Sequence, residues 1–130
     1  MILLDTHIWV WWVNESKDLS AKHRKLIEKS ISKGLALSLI SIWEVAKLVE
    51  KKRLLLTTPI NEWIEKASAY PGIDIIPLSN DIIIKSTQLP GNFHNDPADQ
   101  LIVASSIIQE IPLLTADEKI LKYPFVDLCK

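Results

Sequence analysis

Four acidic residues stand where chemistry is easily built: Asp5 in "ILLDTH", Glu44 in "LSLISIWEV", Asp99 in "DPADQLIVAS" and Asp117 in "LLTADEK". Each lies where an apolar run, or a loop at its level, hands over to a helical pattern. If the runs are neighbouring strands of one parallel sheet, these acids converge on one edge. Carboxylates gathered within a few ångströms repel one another and raise one another's pKa. A bound divalent cation removes that conflict, and an all-oxygen donor set suits Mg²⁺ or Mn²⁺ better than Zn²⁺. Such a site supports metal-assisted attack of water on a phosphodiester.

Each acid also has a purely structural explanation. Ser41 to Glu44 fits the S-x-x-E capping box, and Thr115 is placed to cap a helix containing Asp117 and Glu118. Asp96 suits an N-cap with Pro97 in the first helical turn, while Asp99 favours the positive end of that helix. Asp5 fits a structural role least well, because ligands of parallel sheets bind outside the carboxyl ends of the strands.

The elements that must position these acids follow from apolar periodicity and punctuation. Met1–Leu4 is a short apolar run and predicts a buried strand; a helix follows over His7–Asn14. Ser20 caps a second helix to Lys33, with Leu26, Ile27 and Ile31 inward, and Gly34 stops it. Leu35–Leu39 predicts a second strand, and Ser41 opens a helix with Ile42, Val45, Ala46 and Val49 inward. Pro59 starts a helix to Tyr70, ended by Pro71-Gly72. A β-rich run at Ile73–Leu78 precedes a helix over Asp81–Leu89. The helix opened by Pro97 ends before Pro112. Pro112–Thr115 is a further strand, followed by a helix over Asp117–Lys122 and a last strand at Val126–Leu128. Short apolar runs alternating with helices indicate an α/β fold with a mainly parallel sheet.

The totals are consistent with that frame. The 130 residues predict one domain, and 48% hydrophobic with 24% charged residues describes a globular chain. Mean hydropathy is +0.14. The net charge of −1 gives no general basic signal for nucleic acid, so any such surface must be local. The single cysteine, Cys129, allows no intrachain disulfide, and no signal peptide is visible; a cytoplasmic location is expected. The apolar stretch Ile8–Val13 falls well short of the ~18 residues needed to span a bilayer.

The stretches "LLDTHIWVWW", "SLISIWEVAKLVEKKRLLL", "LPGNFHNDPADQLIVAS" and "LLTADEKILKY" together resemble the PIN-domain ribonucleases, in particular the VapC-type toxins of toxin–antitoxin pairs. The resemblance implies a three-layer α/β/α sandwich spanning residues 1–130 and a metal site of Asp5, Glu44, Asp99 and Asp117. It further implies support from Asp96 and His94 of an H-x-D-P-x-D motif, from Thr115 as a hydroxyl neighbour, and from Thr6 beside Asp5. Implied too are Mg²⁺- or Mn²⁺-dependent endoribonuclease activity, homodimerisation, and a cognate antitoxin that plugs the acidic cleft. Relatives usually carry Arg after the third acid, where this chain has Gln100.

Other residues carry weaker signals. His7 invites a general-base reading but suits packing or hydrogen bonding better, and His23 is expected to be solvated. Trp9 and Trp12 share a helical face with Ile8, which favours core or interface packing over a base-stacking platform that would include Trp11. Trp43 is expected to fix its helix against its neighbours. Lys22, Arg24, Lys25, Lys29 and Lys33 read as a solvated face. Lys47, Lys51, Lys52 and Arg53 begin one turn past Glu44, within reach of an RNA backbone entering the cleft. Two alternatives remain open: a phosphoryl-accepting receiver domain, disfavoured because "DTH" lacks a paired acid, and a PIN scaffold acting only as a binding module.

Overall fold

The computed structural model describes all 130 residues. Its centre is β1 (Ile2–Leu4), which pairs in parallel with β2 (Leu35–Ser38) on one side and β4 (Leu113–Leu114) on the other. Beyond β2 lies β3 (Ile73–Ile76), giving the order β3-β2-β1-β4 with every pairing parallel. Seven α-helices connect and cover the strands: α1 (Thr6–Val13), α2 (Ala21–Ser30), α3 (Leu39–Glu50), α4 (Ile60–Ser68), α5 (Asn80–Ser86), α6 (Pro97–Gln109) and α7 (Glu118–Leu121). The fold is thus the α/β arrangement with a parallel sheet that the alternating pattern predicts.

β1, β2 and β4 are buried on both faces, which is why they read as short, mainly apolar runs, whereas the edge strand β3 exposes Asp74. Side chains alternate across the sheet. Ile2, Leu4, Leu35, Leu37 and Leu114 point into one core with Trp9, Val45 and Trp63. Leu3, Ala36, Ile76 and Leu113 point into the other, with Ile82, Ile102 and Ile120. Trp9 is fully buried, edge-on to Trp63 at 5.1 Å, and its indole N–H donates to Ala67 O at 3.2 Å. Trp9 and Trp12 therefore serve packing first: Trp12 lies edge-on to Tyr70 at 5.2 Å.

Several local expectations are corrected. Ser38, not Ser41, caps α3, accepting from Ile40 N at 3.2 Å; the strand therefore ends before Leu39, and Ser41 lies buried inside the first turn. The S-x-x-E pattern here reflects burial of Ser41, not a capping box. Ala46 faces outward, and Trp43 is 51% exposed, so it does not wedge its helix against neighbours. Asp117 itself caps α7, accepting from Lys119 N at 2.8 Å and Ile120 N at 3.2 Å. Val126–Leu128 contributes only the bridge Leu113–Leu128 and no strand, while His23 is half-buried. No helix is long and apolar enough to cross a membrane.

Candidate active site

The chain runs from β1 through β2 to β3 in one direction and places β4 on the opposite flank of β1. A crevice forms outside the carboxyl ends of strands where the order reverses in this way. Asp5 follows β1 at that point and is 4% exposed. Its Oδ1 accepts from Thr6 N at 2.8 Å, and its Oδ2 accepts from the Thr115 hydroxyl at 2.6 Å. The same Thr115 oxygen accepts from Asp117 N at 3.0 Å. One hydroxyl therefore links the ends of β1 and β4.

From the β2 side, α3 brings Glu44 to the crevice. The two helices that follow β1 and β2 meet through Thr6 Oγ1 and Ser41 Oγ, 2.8 Å apart and buried. The spacing of Ser41 from Glu44 predicts a capping residue, and nothing in the sequence marks this buried contact with Thr6. Glu44 Oε1 is buried and has no hydrogen-bond partner. Such an orphaned acceptor is costly unless another group satisfies it.

The third contribution comes from α6. Asp96 caps it, accepting from Asp99 N at 3.0 Å, and Pro97 occupies its first turn. Asp99 Oδ2 lies 2.6 Å from His94 Nε2. The loop carrying His94 is itself held: Gln100 Nε2 donates to His94 O at 3.0 Å, and Phe93 packs edge-on to Tyr123 at 4.8 Å. Gly91 turns that loop at φ +66, where an added Cβ would lie 2.7 Å from Phe125 Cε2. Gln100 thus ties the motif loop to α6.

Carboxylate oxygens of Glu44, Asp96 and Asp99 lie within 4.8 Å of one another. Asp96, expected in a supporting role, sits in this tightest group, whereas Asp5 and Asp117 flank it. The electrostatics register all five acids. Burial, opposed by the His94 contact and reinforced by Asp5, Asp96 and Asp117, raises the Asp99 pKa to about 6. Burial likewise raises Glu44 to about 7; the Thr6 hydroxyl opposes the shift, although its close partner is Ser41, and Asp5, Asp99 and Asp96 add to it. Burial pushes Asp5 upward too, against the bonds from Thr115 and Thr6.

Converging carboxylates with raised pKa values and an unpartnered buried oxygen fit a divalent cation held by oxygen donors. Alongside, a groove of about 240 Å³ is lined by Glu44, Asp96, Trp43, Lys47, Lys51 and Arg53. Lys52 lies outside it. Lys47 pairs with Glu50 at 3.0 Å, and its ammonium stands 5.9 Å from the Trp43 ring centroid. His7 is exposed, and its charge favours ionised Asp5.

The family model described as PIN domain matches residues 2–126. Ribonuclease VapC22 of Mycobacterium tuberculosis is 31% identical over 119 residues, covering 92% of this chain and 88% of that protein. Among solved structures, FitAcB from Neisseria gonorrhoeae superimposes with a TM-score of 0.70 at 19% identity, covering 100% of this chain and 97% of the other. A toxin–antitoxin complex from Klebsiella pneumoniae gives 0.66 at 21% identity, covering 95% and 93%.

Proposed function

The chain belongs to the PIN-domain family, as a relative of the VapC ribonuclease toxins, and from that premise we propose that it is a Mg²⁺- or Mn²⁺-dependent endoribonuclease. The observation that carries this reading is the convergence of Glu44, Asp96 and Asp99 beside Asp5 and Asp117, with Glu44 Oε1 buried and unpartnered. Glu44, Asp96 and Asp99, which converge most closely, would hold the cation, with Asp5 and Asp117 beside them as further carboxylate donors. When bound, the cation supplies the Lewis acidity that activates water and offsets charge developing on a phosphodiester.

The protein's own groups do the positioning. Thr115 fixes Asp5, and His94 fixes Asp99 with one oxygen left for other partners. Asp96 and Asp117 are anchored as helix caps. Lys47, Lys51 and Arg53 along the groove offer cations to the phosphates of a strand entering the site.

A cognate antitoxin that covers the acidic cleft is the expected partner, since a solved structure of the same fold is a toxin–antitoxin complex. A homodimer is the second assembly. Exposed Leu39 and Trp43 with Leu78 and Pro97 form an apolar recess beside the site, suited to a second copy. The deciding experiment incubates structured RNAs with purified protein and Mg²⁺ or Mn²⁺, comparing wild type with Asp5→Asn and Asp99→Asn. Metal-dependent cleavage lost in both variants supports the assignment; cleavage that persists in both, or needs no metal, overturns it. Growth arrest relieved by co-expression of the antitoxin tests the toxin role separately.

A further inference from the structure

A second recess, of about 480 Å³, opens between α1 and the C-terminal end of α3. That volume falls in the range of small-ligand pockets, roughly 300–1,000 Å³. His7, Trp11, Asn14, Asp18, Leu48 and Arg53 line it, and of these only Arg53 has a role in the groove described above. It is nevertheless continuous with the site. Leu48 and Arg53 also line the groove that contains Glu44 and Asp96, so the two depressions share one wall. At its other side, His7 stands two residues beyond Asp5.

The lining combines the three kinds of group that hold a nucleotide. His7 and Trp11 form a tilted ring pair with centroids 6.0 Å apart, and Trp11 is held half-buried against the core. Aromatic faces of this kind stack bases of any sequence. Arg53 is exposed and makes no ion pair, the ion pairs of the chain being Lys47–Glu50 and His94–Asp99. Its guanidinium is free to meet a phosphate. Asn14 Oδ1 is committed to Trp63 Nε1 at 2.9 Å, so that side chain still offers N–H donors. Asp18 offers exposed carboxylate acceptors. A donor and an acceptor on one wall are what reading a base edge requires.

We propose that this recess is a nucleotide subsite, in which Trp11 and Arg53 hold a base and phosphate near the scissile bond and Asp18 sets sequence preference, an inference that rests on the ribonuclease reading above. A chain passing from the carboxylates along the shared wall carries a phosphate at every step, which matches the unpaired Arg53 better than an uncharged peptide would.

The test uses single-stranded oligoribonucleotides of randomised sequence. Cleavage sites and KM are mapped for wild type, Arg53→Ala, Trp11→Leu and Asp18→Asn. Affinity is read in parallel by fluorescence anisotropy in the Asp99→Asn background, so the subsite is examined whether or not the chain cleaves. Arg53→Ala and Trp11→Leu are expected to weaken binding about tenfold and to raise KM with little change in kcat. Asp18→Asn is expected to change the base preferred at one position beside the cut, or in the bound pool. Trp11→Leu touches the core and is checked by thermal melting; Arg53 and Asp18 are exposed and keep the test independent of folding. Wild-type affinity and base preference in both Arg53→Ala and Asp18→Asn overturn the proposal, as does a defect confined to antitoxin association. Cleavage retained by Asp99→Asn would instead sink the catalytic assignment while leaving the subsite standing or falling on its own binding data.

Discussion

The Thr115 hydroxyl donates to Asp5 Oδ2 at 2.6 Å, joining residues 110 positions apart. It does so across the one place in the sheet where strand order reverses, between β1 and β4. The bond favours the ionised form of a carboxyl that burial otherwise pushes toward protonation. Thr115→Val keeps the shape and removes the donor. Outer groups that orient metal ligands are worth about 10- to 100-fold in affinity or activity. Thr115→Val is therefore expected to weaken Mn²⁺ binding by roughly that factor, as measured by calorimetric titration, with Thr115→Ser restoring most of it.

His94 acts on Asp99 in the same sense, and Gln100 acts on His94. His94→Ala is expected to lower RNA cleavage about 10- to 100-fold. Gln100→Ala, which releases only the loop carbonyl, is expected to cost less. Equal losses in the two variants, measured as kcat/KM on one RNA, would show that loop position rather than the His94–Asp99 contact matters.

Stability should depend on pH in a defined direction. Glu44 is raised from 4.5 to about 7 and Asp99 from 3.8 to about 6, so both bind protons more tightly in the folded state. Between the unfolded and folded values the native protein holds the extra protons, and stability falls as pH rises through that window. In EDTA, Tm is expected to be lower at pH 8 than at pH 5.5. Mn²⁺ should raise Tm more at pH 8, because ligands must be deprotonated to bind it. Glu44→Gln should flatten the pH dependence in EDTA and reduce the response to Mn²⁺; a wild-type profile in that variant would refute the electrostatic account.

Ser38, as the cap of α3, should matter to stability in a way that can be separated from Ser41. Ser38→Ala is expected to cost about 1 kcal/mol by urea denaturation, the usual worth of an N-cap. Ser41→Ala removes the buried partner of Thr6 and should cost a similar amount, but it should also lower cleavage, because it loosens the contact between α1, which begins just after Asp5, and α3, which carries Glu44.

Trp43 is exposed beside the site, and Trp43→Glu puts a charge in the apolar recess. Sedimentation is expected to show a dimer for wild type and a monomer for the variant, with an unchanged far-ultraviolet spectrum. A monomeric wild type would remove the dimer from the functional reading.

The sequence by itself determined the alternation of short apolar runs with helices, hence a parallel sheet covered on both faces, because a strand buried on two sides has no polar face to show. It also marked the acids, since Asp5, Asp96, Asp99 and Asp117 stand at helix starts where a carboxylate is locally favoured, while Glu44 lies past the first turn of α3. What it could not determine was which serine caps α3 or that Thr115 serves Asp5 rather than its own helix. In one dimension a cap and a buried hydroxyl carry the same signature, and only packing separates them. Nor did it show that Asp96 closes on Glu44, or that Trp43 faces outward while Trp9 fills the core. Those outcomes depend on strand order and helix rotation, which bring residues tens of positions apart to within hydrogen-bonding distance. The charge conflict among the acids exists only after the sheet has placed β4 beside β1.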